Sequence, residues 1–134
     1  MRTDKKIQLE RKRHWRVRKT VIGTSIRPRM SVAFTNQHIY VQFIDDASGV
    51  TLAMASTRSK KSESPSKLSA NTASARVIGK LAAEAALAKG VTQVVFDRGG
   101  ARYHWKKGDG GESKPVYGKL ATLAEAARAG GLKF

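Results

Sequence analysis

Apolar and polar residues alternate most cleanly over residues 38–44, where Ile39, Val41 and Phe43 fall on one face and His38, Tyr40 and Gln42 on the other. A period of two predicts a strand with one buried face. Weaker alternation over residues 30–35 predicts a strand before it, joined by a tight turn at Asn36 and Gln37. Asp45, Asp46, Ala47, Ser48 and Gly49 carry turn chemistry, so residues 50–56 return as a third strand. These three strands predict an antiparallel meander with one face to the core and one face open. Residues 57–71 are polar, basic and serine-rich, and predict a mobile loop. The period then lengthens. Residues 71–89 predict a helix, with Ser74, Val77, Ile78, Leu81, Ala85 and Ala88 on its inner stripe and Gly90 as its stop. Residues 91–97 are apolar without alternation, which predicts a strand covered on both faces. A last helix is predicted over residues 118–128, with Leu120, Leu123, Ala124 and Ala127 inward, and Gly130 and Gly131 end it before a short tail. The order is β-β-β-α-β-α, an α/β fold. A right-handed crossover sets the fourth strand parallel to the first, giving a mixed four-stranded sheet.

Charge divides this chain unevenly. Of its 134 residues, 26 are Lys or Arg and 10 Asp or Glu, a formal +16. Residues 1–30 hold Arg2, Lys5, Lys6, Arg11, Lys12, Arg13, Arg16, Arg18, Lys19, Arg27 and Arg29 against Asp4 and Glu10, so +9 of the +16 falls on this short segment. So basic a run repels itself and cannot pack against a core alone. Residues 1–25 are therefore expected to form an arm, flexible or helical when bound, and residues 26–134 a single α/β domain that begins near Pro28. The density of charge and the interleaved His14 and Trp15 point to a polyanion, with a solubilising tail as the alternative. Cysteine is absent, which excludes a disulfide scaffold or a thiolate zinc site. The apolar runs are far shorter than a membrane span, and the N-terminus lacks the apolar stretch of a signal peptide, so no membrane partner is expected.

Three constellations could carry chemistry. On the open face of the second strand, His38, Tyr40 and Gln42 project together, and Ser31, Ala33 and Thr35 share that face from the first strand. Rings there can stack on unpaired bases, and amides and hydroxyls can bond to base edges or to a 2′-hydroxyl. An ordinary solvated sheet face is the alternative. Arg98, Gly99 and Gly100 follow the fourth strand beside Arg102, Tyr103 and His104, where two glycines let a backbone approach closely. A plain turn is the alternative there, and neither nucleotide-binding glycine spacing is present. A nuclease would need clustered carboxylates such as Asp45, Asp46, Glu84 and Asp97. A ribonuclease-H-like active site would also need an acid within the first strand, where Ser31, Val32, Ala33 and Phe34 supply none. The histidines His14, His38 and His104 lack metal-ligand spacing. No catalysis, cofactor or small-molecule substrate is expected.

The succession Arg27-Pro28-Arg29-Met30-Ser31-Val32, then residues 36–46 (NQHIYVQFIDD), 49–56, 94–100 (VVFDRGG), Tyr103-His104 and 123–134 (LAEAARAGGLKF) resembles the bacterial form of the universal large-subunit ribosomal protein eighteen family. The resemblance runs in order over nearly the whole chain. It implies the ribonuclease-H-like motif of translational machinery components, with a basic arm. It also implies a cytoplasmic, non-catalytic protein of the large ribosomal subunit that binds 5S rRNA and helps attach it to the large-subunit rRNA. Its place would be the central protuberance, beside the fifth large-subunit protein. Carried over by position, the arm cations, from Arg2 to Arg29, would meet phosphates. Ser31, Thr35, Asn36, His38, Tyr40 and Gln42 would meet RNA on the sheet face, and Arg98, Gly99, Gly100, Tyr103 and His104 would line a second RNA-facing loop. Two departures from the family pattern stand out. Phe34 is displaced by one position, so it should turn inward with Val32 and leave Ala33 on the open face. Residues 105–117 (WKKGDGGESKPVY) are an insertion that reads as an exposed loop. The runner-up reading is a DNA-binding architectural protein with a duplex groove as its target.

Overall fold

A computed structural model describes residues 2–58, 68–106 and 116–134. Its elements in chain order are α1 (Thr3–Arg18), β1 (Arg29–Phe34), β2 (Ile39–Asp45), β3 (Val50–Ser56), α2 (Thr72–Ala88), β4 (Val95–Asp97), β5 (Trp105–Lys106), β6 (Val116–Tyr117) and α3 (Lys119–Ala129). The main sheet runs β3-β2-β1-β4, antiparallel except for the parallel β1–β4 pair, as the crossover rule predicts. Inward residues of β1 and β2 meet in register: Met30 faces Phe43, Val32 faces Val41, and Phe34 faces Ile39. Ile39, Val41 and Phe43 are fully buried, and Phe34 packs against the same core from its partly buried position. The open face is left to Ser31, Ala33, Tyr40 and Gln42.

Helices α2 and α3 close the core against the inner face. Asn71 caps α2 by accepting the Ser74 N–H at 2.7 Å. The buried face of α2 differs from the expected stripe. Ser74, Ala75, Ile78, Gly79, Ala82, Ala83 and Ala86 are buried, whereas Val77, Leu81 and Ala85 are half-buried and Ala88 is exposed. The reason is a second neighbour. Against α3 the backbones come so close that a methyl on Gly79 would sit 2.6 Å from the Leu123 carbonyl oxygen. Such a contact selects the smallest side chains, while the larger ones move to the rim.

Two further expectations are corrected. The fourth strand is short and half-covered: only residues 95–97 pair with β1, and Val95 and Phe96 are half-buried. Residues 92–94 instead exchange hydrogen bonds with the C-terminal tail, Val94 N–H donating to the Lys133 carbonyl and Lys133 N–H to that of Thr92. Leu132 is buried beneath this pairing, and Phe134 stacks on Phe96 at 5.4 Å. The insertion at 105–117 is not a plain loop at its base, because Trp105 pairs with Tyr117 and Lys106 with Val116. Its interior, like residues 59–67 of the serine-rich loop, lies outside the described residues.

Candidate nucleic-acid interface

The open sheet face is built by the register of its strands. Ser31 stands opposite Gln42, Ala33 opposite Tyr40, and Met54 of β3 on the far side of Gln42. The His38 ring is pinned by a 3.1 Å hydrogen bond between its Nδ1 and the Thr57 hydroxyl. It meets the Tyr40 ring edge-on, with centroids 6.2 Å apart. The His38 ring thus has little rotamer freedom left to lose on meeting a flat ligand. Thr35 contributes less than expected. Its hydroxyl donates to the His38 carbonyl and accepts the His38 N–H at 2.9 Å, so it closes the β1–β2 turn, with Asn36 exposed at the tip.

The arm is a helix whose described residues are nowhere buried. Packing therefore does not account for it. Lys, Arg, Gln, Glu and Leu are good helix formers, Asp4 lies in the first turn, and Arg16 and Arg18 lie in the last, which matches the helix dipole at both ends. Lys5, Lys6, Arg11, Lys12, Arg13 and Arg16 are exposed along it, as are Arg2 and Lys19 at its ends, and Trp15 is 63% exposed among them. The helix leans on the Arg98–Gly100 turn. Gly99 and Gly100 have φ of 61° and 83°, and a methyl on Gly100 would come within 3.4 Å of the Arg13 Cβ and the His14 nitrogen. A methyl there would make only ordinary contact with the arm, so the positive φ, rather than a close backbone approach, is what calls for glycine at this turn.

As a result, the arm, the first strand of the sheet face and the glycine turn share one cleft, while His38, Tyr40 and Gln42 lie outside its lining. Arg13 and His14 of the arm, Ser31 and Ala33 of β1, and Arg98, Gly99 and Gly100 line a space of about 410 Å³. A second groove, between Arg16, Val17 and Arg98, runs on to Tyr103.

Arg29 does not belong to this surface. It is 6% exposed, and its guanidinium donates through Nε and Nη2 to Asp46, at 2.9 and 3.0 Å, and through Nη1 to Asp97 at 2.9 Å. A cation held by two carboxylates in the interior cannot serve as a phosphate ligand, which corrects the expectation for this residue. Asp97 also accepts the Gly99 N–H at 2.8 Å and so shapes the glycine turn. Tyr103 is likewise engaged: its hydroxyl donates to Glu125 and accepts from Arg128, and burial followed by the Glu125 bond pushes the phenol pKa up. His104 is exposed beside it, and Arg27 is exposed ahead of β1.

Sequence reasoning missed the ion-pair chain of Arg18, Asp46, Arg29 and Asp97. Its only signal was the position of two acids at the C-terminal ends of β2 and β4, which meet one arginine only once the strand order is known. The same chain accounts for two of the carboxylates considered for metal chemistry. Asp45 accepts the Ala47 N–H and the Ser48 hydroxyl in the hairpin turn, and Glu84 is exposed on α2. Among the described residues, no three His, Cys, Asp or Glu side chains gather at one point.

Comparison with known proteins agrees with this geometry. Residues 4–134 match the family described as ribosomal L18 of archaea, bacteria, mitochondria and chloroplasts. The large ribosomal subunit protein uL18 of Petrotoga mobilis is 48% identical over 131 residues, covering 98% of this chain and 96% of its own. Its counterpart in a Synechococcus species is 48% identical over 92% of each chain, and that of Brevibacillus brevis is 46% identical over 96% of this chain and 95% of its own. A family match across nearly the whole length, with relatives this similar, means that the chain belongs to the ribosomal L18 family, as a structural constituent of the large ribosomal subunit rather than an enzyme.

Proposed function

We propose that this chain binds 5S rRNA and helps attach it to the large-subunit rRNA in the central protuberance, beside the fifth large-subunit protein, in a cytoplasmic ribosome. The observation that carries the RNA reading is the cleft where arm, sheet face and glycine turn meet, with Arg13, His14, Ser31 and Arg98 around it. Exposed cations of α1 neutralise phosphates on one side of that cleft, which gives affinity without sequence information. Next to the Ser31 and Ala33 edge of that cleft, their partners across the sheet, Gln42 and Tyr40, with His38 beside Tyr40, offer stacking and amide bonding, which suit unpaired bases better than a closed duplex. Met54 and Trp15 extend the apolar area available to base faces.

A filter-binding titration against 5S rRNA tests the mechanism. With about eight phosphates engaged, log K should fall with log salt at a slope of roughly −6 to −7. A slope near zero rejects it. Duplex DNA run as competitor separates the two polyanions, because a sheet face reading unpaired bases predicts preference for structured RNA, and equal competition returns the chain to the architectural DNA-binding class.

A further inference from the structure

Helix α1 has no buried residue, and among the described residues no hydrogen bond joins it to the glycine turn, so its direction is set where it joins the body. That junction is organised around one carboxylate. Asp46 Oδ2 accepts the Gly23 N–H at 2.7 Å and Arg29 Nε at 2.9 Å, while its Oδ1 accepts Arg29 Nη2 at 3.0 Å and Arg18 Nη2 at 3.5 Å. The Asp46 N–H also donates back to the Gly23 carbonyl at 3.2 Å. One side chain at the end of β2 therefore grips the last turn of the arm helix, Gly23 in the segment after it and the buried arginine of β1. Arg29 in turn holds Asp97, whose other oxygen fixes Gly99 beneath α1. Both ends of the arm's seat trace back to this carboxylate.

We propose that Asp46 is a positioning residue for RNA binding: it fixes the direction in which the arm leaves the body, so that arm cations and sheet face stand around one cleft before RNA arrives. The proposal rests on the RNA-binding reading. Holding two binding surfaces in register spares the ordering cost that a free arm would meet on association. Asp46 touches no RNA in this scheme.

The test uses the full chain carrying Asp46→Asn. The chain has no cysteine, so Gln8→Cys on α1 and Arg76→Cys on α2 give a unique pair of spin labels at exposed positions. Without RNA, the label distance distribution should broaden in D46N while the body still melts cooperatively. Affinity for 5S rRNA should fall about tenfold with the salt slope unchanged, since the phosphates finally engaged are the same. In a full-length background with the eight exposed arm cations, Arg2, Lys5, Lys6, Arg11, Lys12, Arg13, Arg16 and Lys19, changed to Gln, the same substitution should cost at most about twofold, because the arm no longer contributes what Asp46 positions. An equal loss in both backgrounds overturns the proposal, as does a narrow distribution or a broad one with unchanged affinity. If the arm-neutralised protein binds RNA as well as its parent, the RNA-binding reading of the arm fails instead, and the label distances still report on the clasp. Should D46N fail to melt cooperatively, Asp46→Glu keeps the charge but moves the carboxylate by a methylene. It should broaden the distances and weaken binding in the same direction, and unchanged distances there overturn the clasp.

Discussion

Asp46 remains ionised far into acid. Its hydrogen bonds from Arg29, then from the Gly23 N–H, together with the nearby Arg18, hold its pKa at about 2 against an ordinary 3.8, despite partial burial that acts the other way. A folded-state pKa below the unfolded one adds stability that is complete above the unfolded value and vanishes as pH falls through the folded value. Wild type should therefore exceed D46N in urea stability by a constant margin from neutral pH down to about pH 4, and the margin should close between about 4 and 2. A margin that stays flat to pH 2 would show that the carboxylate is not what Arg29 requires. Arg29 itself shows why this network was illegible in the sequence. It is one of eleven cations in the first 30 residues, and nothing in that run distinguishes Arg29, bound for the interior, or Arg18, half-buried against Asp46, from the nine left in solvent. Its carboxylate partners lie 17 and 68 residues away and reach it only through the strand order.

At the scale of elements, legibility follows how many neighbours each element has. Strand β2 meets the helices on one face and open space on the other, so its alternation was sufficient: Ile39, Val41 and Phe43 are all fully buried. Strand β3 departs from alternation because its pairing shifts between Phe43 and Ile44, and both Leu52 and Ala53 turn toward the core. Helix α2 has two neighbours, the sheet and α3, and its sequence stripe favoured the bulky Val77 and Leu81 over the glycine and alanines that the second contact demands. Gly79→Ala tests that contact. On an exposed helix this substitution stabilises by about 1 kcal/mol. Here the new methyl meets the Leu123 carbonyl oxygen at 2.6 Å and the Ala126 Cβ at 2.7 Å, so the two helices must part. Net destabilisation of about 1–3 kcal/mol is expected in chemical denaturation, and a stabilised variant would show that the α2–α3 contact has room to spare.

For the whole molecule, the question is where the arm ends. Composition drew the line after residue 25, because the basic run thins there. Bonding draws it earlier. Gly23 is buried and exchanges hydrogen bonds with Asp46 in both directions, and residues 24–27 form a turn in which Thr24 N–H donates to the Arg27 carbonyl and its hydroxyl accepts the Arg27 N–H. Residues 23–27 therefore belong to the body. Removing residues 1–22 takes away nine cations and two acids yet leaves Asp46 its Gly23 and Arg29 partners. That truncation should keep a cooperative thermal transition, while its salt slope for 5S rRNA drops by about 0.7–0.9 for every phosphate the arm had engaged. Removing residues 1–25 deletes three more uncharged residues, so its salt slope should match the shorter truncation. It also loses both Gly23–Asp46 hydrogen bonds, each contributing about 1 kcal/mol, and should melt about 4–8 °C lower or more. The two truncations thus separate affinity from stability within three residues. Equal melting temperatures would move the boundary back to residue 25, and loss of cooperativity in the shorter truncation would make the helix itself part of the fold.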